Sequence, residues 1–395
     1  MSGCESSLCL TGRSTDAACS SIDIMGDLVF GKSFGTLGAT PENRDAIFWL
    51  GRAARRNYTI GAMPFLHRSG LEKWIPPFRG LWFDRLQYLA FGKRQVVERS
   101  NNTSLDSSGR KDIFHYLLNA KDPETGEGLP KGELWMEGNT LIVAGSDTSS
   151  TTISATLYHL VRNTPCLERL AGEIRSIFDD SEDIRTGPKL QACTYLRACI
   201  DEAMRMSPAV PGLLPRLVLP GGLDIPALNL HVPAGVDVGT CTYAIHHHED
   251  YVVEPFIYNP SRWLQRPSTK SHTRQRSDSG VELQQVTQPV EDHKTKDVHL
   301  NREHEQEHDA LHSIFAPFSL GNRACLGKPL VYMEISIAIA RLVWKYDMRL
   351  VDMVPADPGV RADVRRGRRT AGDYHVRDWF LSANEGPVVQ FAERG

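Results

Sequence analysis

Apolar residues recur at helical spacing along most of this chain, and the interruptions divide it. Residues 1–21 are small and polar and are expected to be a disordered start. From 22 to 100 the apolar positions keep a helical period broken at Pro64, Pro76 and Pro77, which predicts two or three helices. SNNTSLDSSGR reads as a loop, and KDIFHYLLNA as a helix stopped by the turn DPETGEGLP. The longest apolar segment, about 131–163, predicts a single long helix ending before Pro165. Two more helices are expected at about 165–178 and 191–206, the latter closed by Pro208. Between 210 and 245, Val, Leu and Ile alternate with Gly and Pro, the texture of short strands and turns. Residues 266–312 are rich in Gln, Glu, Lys and His and are expected to be a disordered insert. Helical periodicity returns at 328–345, and the tail from about 346 is strand-like. The fold class expected is mainly α with a small β region, in one partial domain over 22–395.

Composition narrows this picture. A 395-residue chain can bury one large core or two ordinary ones. Its formal net charge of −3 gives no electrostatic argument for nucleic acid, so none is expected as a partner. The eight cysteines are scattered, without a CxxC pair, which favours reduced thiols over a disulfide framework. No apolar run reaches the roughly 18 residues of a spanning helix. The start lacks the basic and apolar regions of a signal peptide.

The most specific local signal is Phe318-Ser-Leu-Gly321-Asn-Arg323-Ala-Cys325-Leu-Gly327, directly before the helix at 328–345. It reads as a tight loop presenting a thiolate. Gly321 and Gly327 permit turns and close approach of a flat ligand. A thiol just ahead of a helix meets the positive end of the helix dipole. Arg323 supplies a cation for an acidic group of the ligand. Taken alone, Cys325 is more readily a core cysteine in a Gly-containing loop. A second signal is Ala144-Gly145-Ser146-Asp147-Thr148, inside the long helix. Glycine followed by polar residues there is unfavourable and suggests either a distorted turn of the π-bulge kind or a solvated kink. Glu202 and Arg205 lie three residues apart on one helix face, where a surface ion pair is the ordinary reading.

The loop 318–327 matches the haem-binding signature of the cytochrome P450 family, and the other motifs follow in that family's order. Ala144–Thr148 resembles its A-G-x-D-T segment, and Pro255-Phe256-Ile-Tyr-Asn-Pro260-Ser-Arg262-Trp263 its F-x-P-x-R-W segment. The resemblance covers 22–263 and 314–392. It implies that Cys325 is the axial ligand of haem b iron, with Phe318, Gly321, Arg323, Gly327, Ala144 and Gly145 against the cofactor. It gives Asp147 and Thr148 a proton-relay role beside dioxygen, and makes Glu202, Arg205 and Arg262 a buried structural triad. Arg216 matches a position that pairs a haem propionate, although it is otherwise an ordinary solvated strand-end arginine. The implied activity is a haem-dependent monooxygenase. It places one oxygen atom of O2 in a lipophilic small molecule, with electrons from NADPH through NADPH-cytochrome P450 reductase. Local similarity is to fungal enzymes of secondary metabolism, so a terpenoid, polyketide or alkaloid substrate is expected.

Two departures from the family shape the remaining expectations. The chain is expected to lack the N-terminal anchor, first strands and helices A to D, which leaves a catalytically inactive fragment as an alternative. An intact member sits on the cytosolic face of the endoplasmic reticulum membrane; this chain is expected to be cytoplasmic or peripheral. Secondly, the insert contains His304-Glu305-Gln306-Glu307-His308, an H-E-x-x-H pattern. With His312 on the same face, it offers a zinc-binding or metallopeptidase-like alternative, in surroundings too charged to bury a metal site.

Overall fold

The computed structural model of the protein describes residues 10–12, 14–38, 41–102, 111–264, 308–350, 374, 376–384 and 386–394. The expected disordered start over 1–21 is corrected from Leu10 onward. Strand β1 (Leu10–Gly12) and helix α1 (Ser14–Phe30) precede the expected boundary at residue 22. The polar serines hide the pattern, but Cys19, Ile22, Met25 and Val29 recur every three or four residues and are buried.

Next come α2 (Pro41–Ala62), the short α3 (Pro64–Arg68) and α4 (Pro76–Asn101). Pro64 and Pro76 each open a helix, where a missing amide hydrogen leaves nothing unsatisfied. Helix α5 (Ile113–Asn119) is capped by Asp112, whose carboxylate accepts the His115 amide at 2.7 Å and also holds the buried Arg99. Helix α6 (Lys131–Arg162) then gives way at Asn163 to α7 (Thr164–Ile177). α8 (Pro188–Gln191) and α9 (Thr194–Met206) follow.

Two apolar cores flank α6. One joins Ile22, Phe30, Phe91 and Phe114 of α1, α4 and α5 to Ile142. The other joins Leu170, Ile174 and Ile200 of α7 and α9 to Ile153 and Leu160. It also includes Ile335 and Ile339 of α11 (Lys328–Lys345). α6 thus lends its first half to one core and its second half to the other, which makes it the axis of the molecule. Gly145 sets how closely α1 approaches this axis: a Cβ there would lie 2.3 Å from Met25 Sδ. Gly145→Val is therefore expected to destabilise the chain by about 1–3 kcal/mol, measured as a lower urea midpoint.

The distorted turn expected at 144–148 is not found; α6 is a continuous α-helix. Its hydroxyls fold back on carbonyls one turn earlier: Ser146 on Ile142 at 2.5 Å, Thr148 on Ala144 at 2.6 Å and Thr152 on Thr148 at 2.9 Å. That internal bonding lets a polar stretch remain helical.

The β region consists of small antiparallel pieces. β2 (Arg216–Leu217) pairs with β5 (Asp237–Val238), and β3 (Leu223–Ile225) with β4 (Leu230–Val232). After the short helix α10 (Thr242–His246) and after α11 come β6 (Tyr346–Leu350), β7 (Val376–Trp379), β8 (Leu381–Asn384) and β9 (Val389–Glu393). The third sheet runs β1–β9–β6, and β7 pairs with β8. The β7–β8 hairpin is tied to the helices. Ser382 bonds the Ala209 and Pro208 carbonyls at 2.9 Å each, and Thr151 Oγ1 donates to Ser382 O at 3.1 Å. Most of the expected insert, 266–307, lies outside the described residues. Its end is corrected: 308–314 is helical, with Leu311 and Ile314 buried against Trp263 and Val252.

Candidate functional site

Cys325 sits on a loop that its own backbone holds closed. The Cys325 amide donates to Phe318 O at 2.8 Å and the Ala324 amide to Gly321 O at 3.0 Å. Gly321 takes φ 69°, a left-handed conformation that costs other residues energy, and opens a single 3₁₀ turn through Arg323. Ser319 is also left-handed, φ 59°. Gly327 stands at the N-cap of α11, so the first free amides of that helix point back towards the loop. Phe318 is half-buried, its ring 5.1 Å from Tyr332.

Exposure distinguishes this loop from an ordinary one. Residues 320–326 are all exposed, Leu326 at 99% and Leu320 at 71%. Cys325 is exposed, whereas the other cysteines among the described residues are buried or half-buried. Burial pushes the Cys193 thiol up to about 11 and that of Cys199 higher still, so those sulfurs stay neutral. A cysteine beside two bare leucines on a rigid turn fits a flat apolar ligand bearing a metal that takes sulfur. Haem meets that description. Arg323 and Arg216 are both exposed and make no ion pair among the described residues, so each can meet an acidic group. Among the described residues the Arg216 side chain bonds the Pro215 carbonyl, at 2.9 Å.

On α6, Ala144 is exposed and Thr148 half-buried, while Ser149 to Thr152 are buried. Ala144 and Thr148, four apart, therefore mark one open face. Asp147 retains some surface, yet protein atoms crowd the carboxyl and burial pushes its pKa up to about 6. Gly145 faces Met25 rather than this open side.

A link absent from the sequence reading ties the two motifs together. Glu334 of α11 is buried and accepts Ser149 Oγ at 2.8 Å and Ser21 Oγ at 3.0 Å. Burial raises its pKa, against the lowering effect of the two hydroxyls. The helix that follows Cys325 is thereby fixed to α6 at the residue after Thr148. Two serines and a glutamate 185 residues from the nearer of them carry no local pattern that would reveal this.

Glu202, Arg205 and Arg262 meet in one cluster. Arg205 donates to both Glu202 oxygens at 2.9 Å, and Arg262 Nε to Oε1 at 3.0 Å. The Asn259 amide and Trp263 Nε1 complete the carboxylate shell at 3.0 and 2.8 Å. Arg205 also donates to the His246 and Pro255 carbonyls. The sequence reading missed Trp263 as a donor. The run His246–His248, a pattern that on sequence alone reads as two solvated turn residues and one with a local hydrogen bond, is different here: His246 and His247 are buried. His246 Nε2 accepts the Ala316 amide at 3.1 Å, and burial, with the Arg205 charge next, lowers its pKa to about 3. It is a fixed neutral acceptor that anchors the loop leading to Phe318.

The H-E-x-x-H pattern falls mainly outside the described residues. His308 and His312 are described, their Nε2 atoms 3.0 Å apart. Among the described residues no group of three or more metal-ligating side chains is assembled. No helix among them is long and apolar enough to cross a membrane.

Comparison with known proteins gives a single family. The model described as Cytochrome P450 matches residues 12–280 and 294–361. The cytochrome P450 monooxygenase apf7 of Gibberella fujikuroi is 35% identical over 94% of this chain and 63% of its own length. The cytochrome P450 monooxygenase AKT7 of Alternaria alternata is 34% identical over 94% and 64%. The cytochrome P450 monooxygenase lcsN of Purpureocillium lilacinum is 33% identical over 94% and 96%. The chain thus spans slightly under two thirds of the first two relatives and nearly all of the third. The crystal structure of the cytochrome P450DA heme domain superposes with a TM-score of 0.65 at 19% identity, over 98% of this chain and 69% of that one, a likeness of fold.

Proposed function

The chain belongs to the cytochrome P450 family, and we propose that it is a haem-thiolate monooxygenase that oxidises a lipophilic small molecule of fungal secondary metabolism. The observation that carries this reading is the exposed Cys325–Leu326 turn in a chain whose other described cysteines are buried or half-buried. When bound, haem supplies dioxygen activation, favoured by the electron density a thiolate ligand donates. The protein's part is to hold, orient and exclude water.

Cys325 would hold the iron through its thiolate. Arg216 and Arg323 would pair with the acidic groups of the haem. Phe318 and Gly321 would shape the loop that holds it, and Gly327 would allow close approach. Ala144 borders the open face of α6, where Thr148 holds a hydroxyl and Asp147 stores a proton that is exchangeable near neutrality. Electrons come from an NADPH-dependent reductase at a membrane surface, and the terpenoid, polyketide or alkaloid class rests on the local resemblance to fungal enzymes. Thr148→Ala is expected to retain the haem spectrum but lower product formed per NADPH at least about tenfold, with the missing electrons recovered as hydrogen peroxide. Unchanged coupling would remove Thr148 from the relay.

The carbon monoxide difference spectrum of the reduced, haem-loaded chain tests the reading. A band at the family's characteristic position supports it. Haem uptake without that band, or no uptake, counts against it.

A further inference from the structure

The loop that carries Cys325 is clasped at its base, and the clasp is tied to α9. Phe318 stands before the loop and Tyr332 after it, in the second turn of α11, with their rings 5.1 Å apart. Beyond this pair the loop has little to lean on, since residues 320–326 are exposed. Its direction is therefore set from its base. Phe318 takes part twice: its carbonyl accepts the Cys325 amide at 2.8 Å, and its ring meets Tyr332.

Tyr332 is itself held from α9. Its phenol donates to Asp201 Oδ1 at 2.7 Å. The Arg197 guanidinium lies over its ring, 3.4 Å from the centroid, and Arg197 Nε donates to Asp201 Oδ2 at 2.7 Å. A carboxylate at the hydroxyl and a cation on the face fix both the height and the tilt of the ring. Asp201 is buried and directly precedes Glu202, whose carboxylate is held by Arg205 and Arg262. Burial and then the Asp201 charge push the Tyr332 pKa up, so the phenol keeps its proton and remains a donor.

We propose that Tyr332 is a positioning residue for Cys325: pinned by Asp201 and Arg197, its ring backs Phe318 and so fixes where the thiol loop stands against α9. The purpose of this clamp rests on the haem-thiolate reading, whereas the clamp itself is a property of the chain alone. Loss of the ring leaves Phe318 without its wall, and the Cys325 amide then parts from Phe318 O more often. The other tether of this segment, the Ala316 amide on His246 Nε2 at 3.1 Å, does not involve Tyr332 and should not respond.

The test sets amide hydrogen exchange at Cys325 and Ala316 in the full chain beside the carbon monoxide spectrum of the haem-loaded chain. In Tyr332→Leu the Cys325 amide is expected to exchange at least about tenfold faster than in the parent, with Ala316 unchanged and most of the carbon monoxide band moved to shorter wavelength. Tyr332→Phe keeps the ring and its Arg197 contact but loses the Asp201 pin. A smaller gain, roughly threefold, is expected there at Cys325, with most of the band in place. Equal Cys325 rates in the parent and in Tyr332→Leu overturn the proposal. So does faster exchange at Cys325 and Ala316 together, which would make Tyr332 a residue of general stability. If Tyr332→Leu does not fold, Tyr332→Phe carries the decision: a Cys325 amide exchanging at the parent rate there overturns the clamp. A parent without the thiolate band, whose Cys325 amide still responds to Tyr332→Leu, would sink the oxidation reading and leave the clamp standing.

Discussion

Cys325→Ala is expected to abolish the thiolate-type carbon monoxide band completely while leaving the fold intact. The separation of these outcomes follows from how the loop is held. Its closure uses the Cys325 amide on Phe318 O, the left-handed backbone of Gly321 and the Ala316 amide on His246, none of which involves the sulfur. The sulfur itself is exposed and contributes no core packing, so its removal creates no cavity. Helicity by circular dichroism and the urea midpoint should match the parent. What is lost is the one soft anionic ligand the site offers to iron. Cys241 is the informative control, because its Sγ is half-buried and bonded to the Pro211 carbonyl at 3.2 Å. Cys241→Ala should keep the band. A band retained in Cys325→Ala and lost in Cys241→Ala would transfer the ligand to that residue and end the present assignment.

What was legible in the sequence was the part written in consecutive residues. The loop from Phe318 to Gly327 is local: a glycine that must turn, a cysteine, and a helix start follow one another, and the backbone repeats that order. The limits of α6 were legible for the same reason, since the turn DPETGEGLP precedes its apolar positions and Pro165 follows them. What escaped was built from distant residues or from polar groups whose role depends on burial. Ser21, Ser149 and Glu334 look like surface residues until three helices close over them. Three consecutive histidines read as a solvated run, although α10 turns the first two inward, where His246 stacks on Phe315 at 5.4 Å. The helix at Ser14 was concealed because its buried face includes Ser21 beside Cys19 and Ile22. The distorted turn expected in α6 failed for a related reason: the glycine and hydroxyls that disfavour a helix in water are used for close packing and internal bonds once buried.

Glu202→Ala is expected to cost about 3–5 kcal/mol of stability. Both Glu202 and Arg205 have no exposed side-chain surface. Removing the carboxylate strips Arg205 of its two anionic bonds and leaves a guanidinium held only by the His246 and Pro255 carbonyls. Arg262, the Asn259 amide and the Trp263 indole lose an acceptor at the same time. Arg262→Lys should be milder, because that side chain is 13% exposed and its ammonium can reach water. Burial alone would raise the Glu202 pKa, but the Arg205 charge and hydrogen bonds, followed by Arg262, outweigh it and the net shift is downward from 4.5. A carboxyl with a lowered folded pKa adds stability above its unfolded value and loses it as pH falls through the folded one. The parent should therefore weaken in urea below about pH 4.5, and the Glu202→Ala midpoint should lose that part of the pH dependence. A double variant, Glu202→Leu with Arg205→Met, should be closer to the parent than either single change, since it leaves no charge stranded. If the double variant were as unstable as the sum of the singles, the loss would come from packing, and the ion cluster would not be what holds this end of α9 in place.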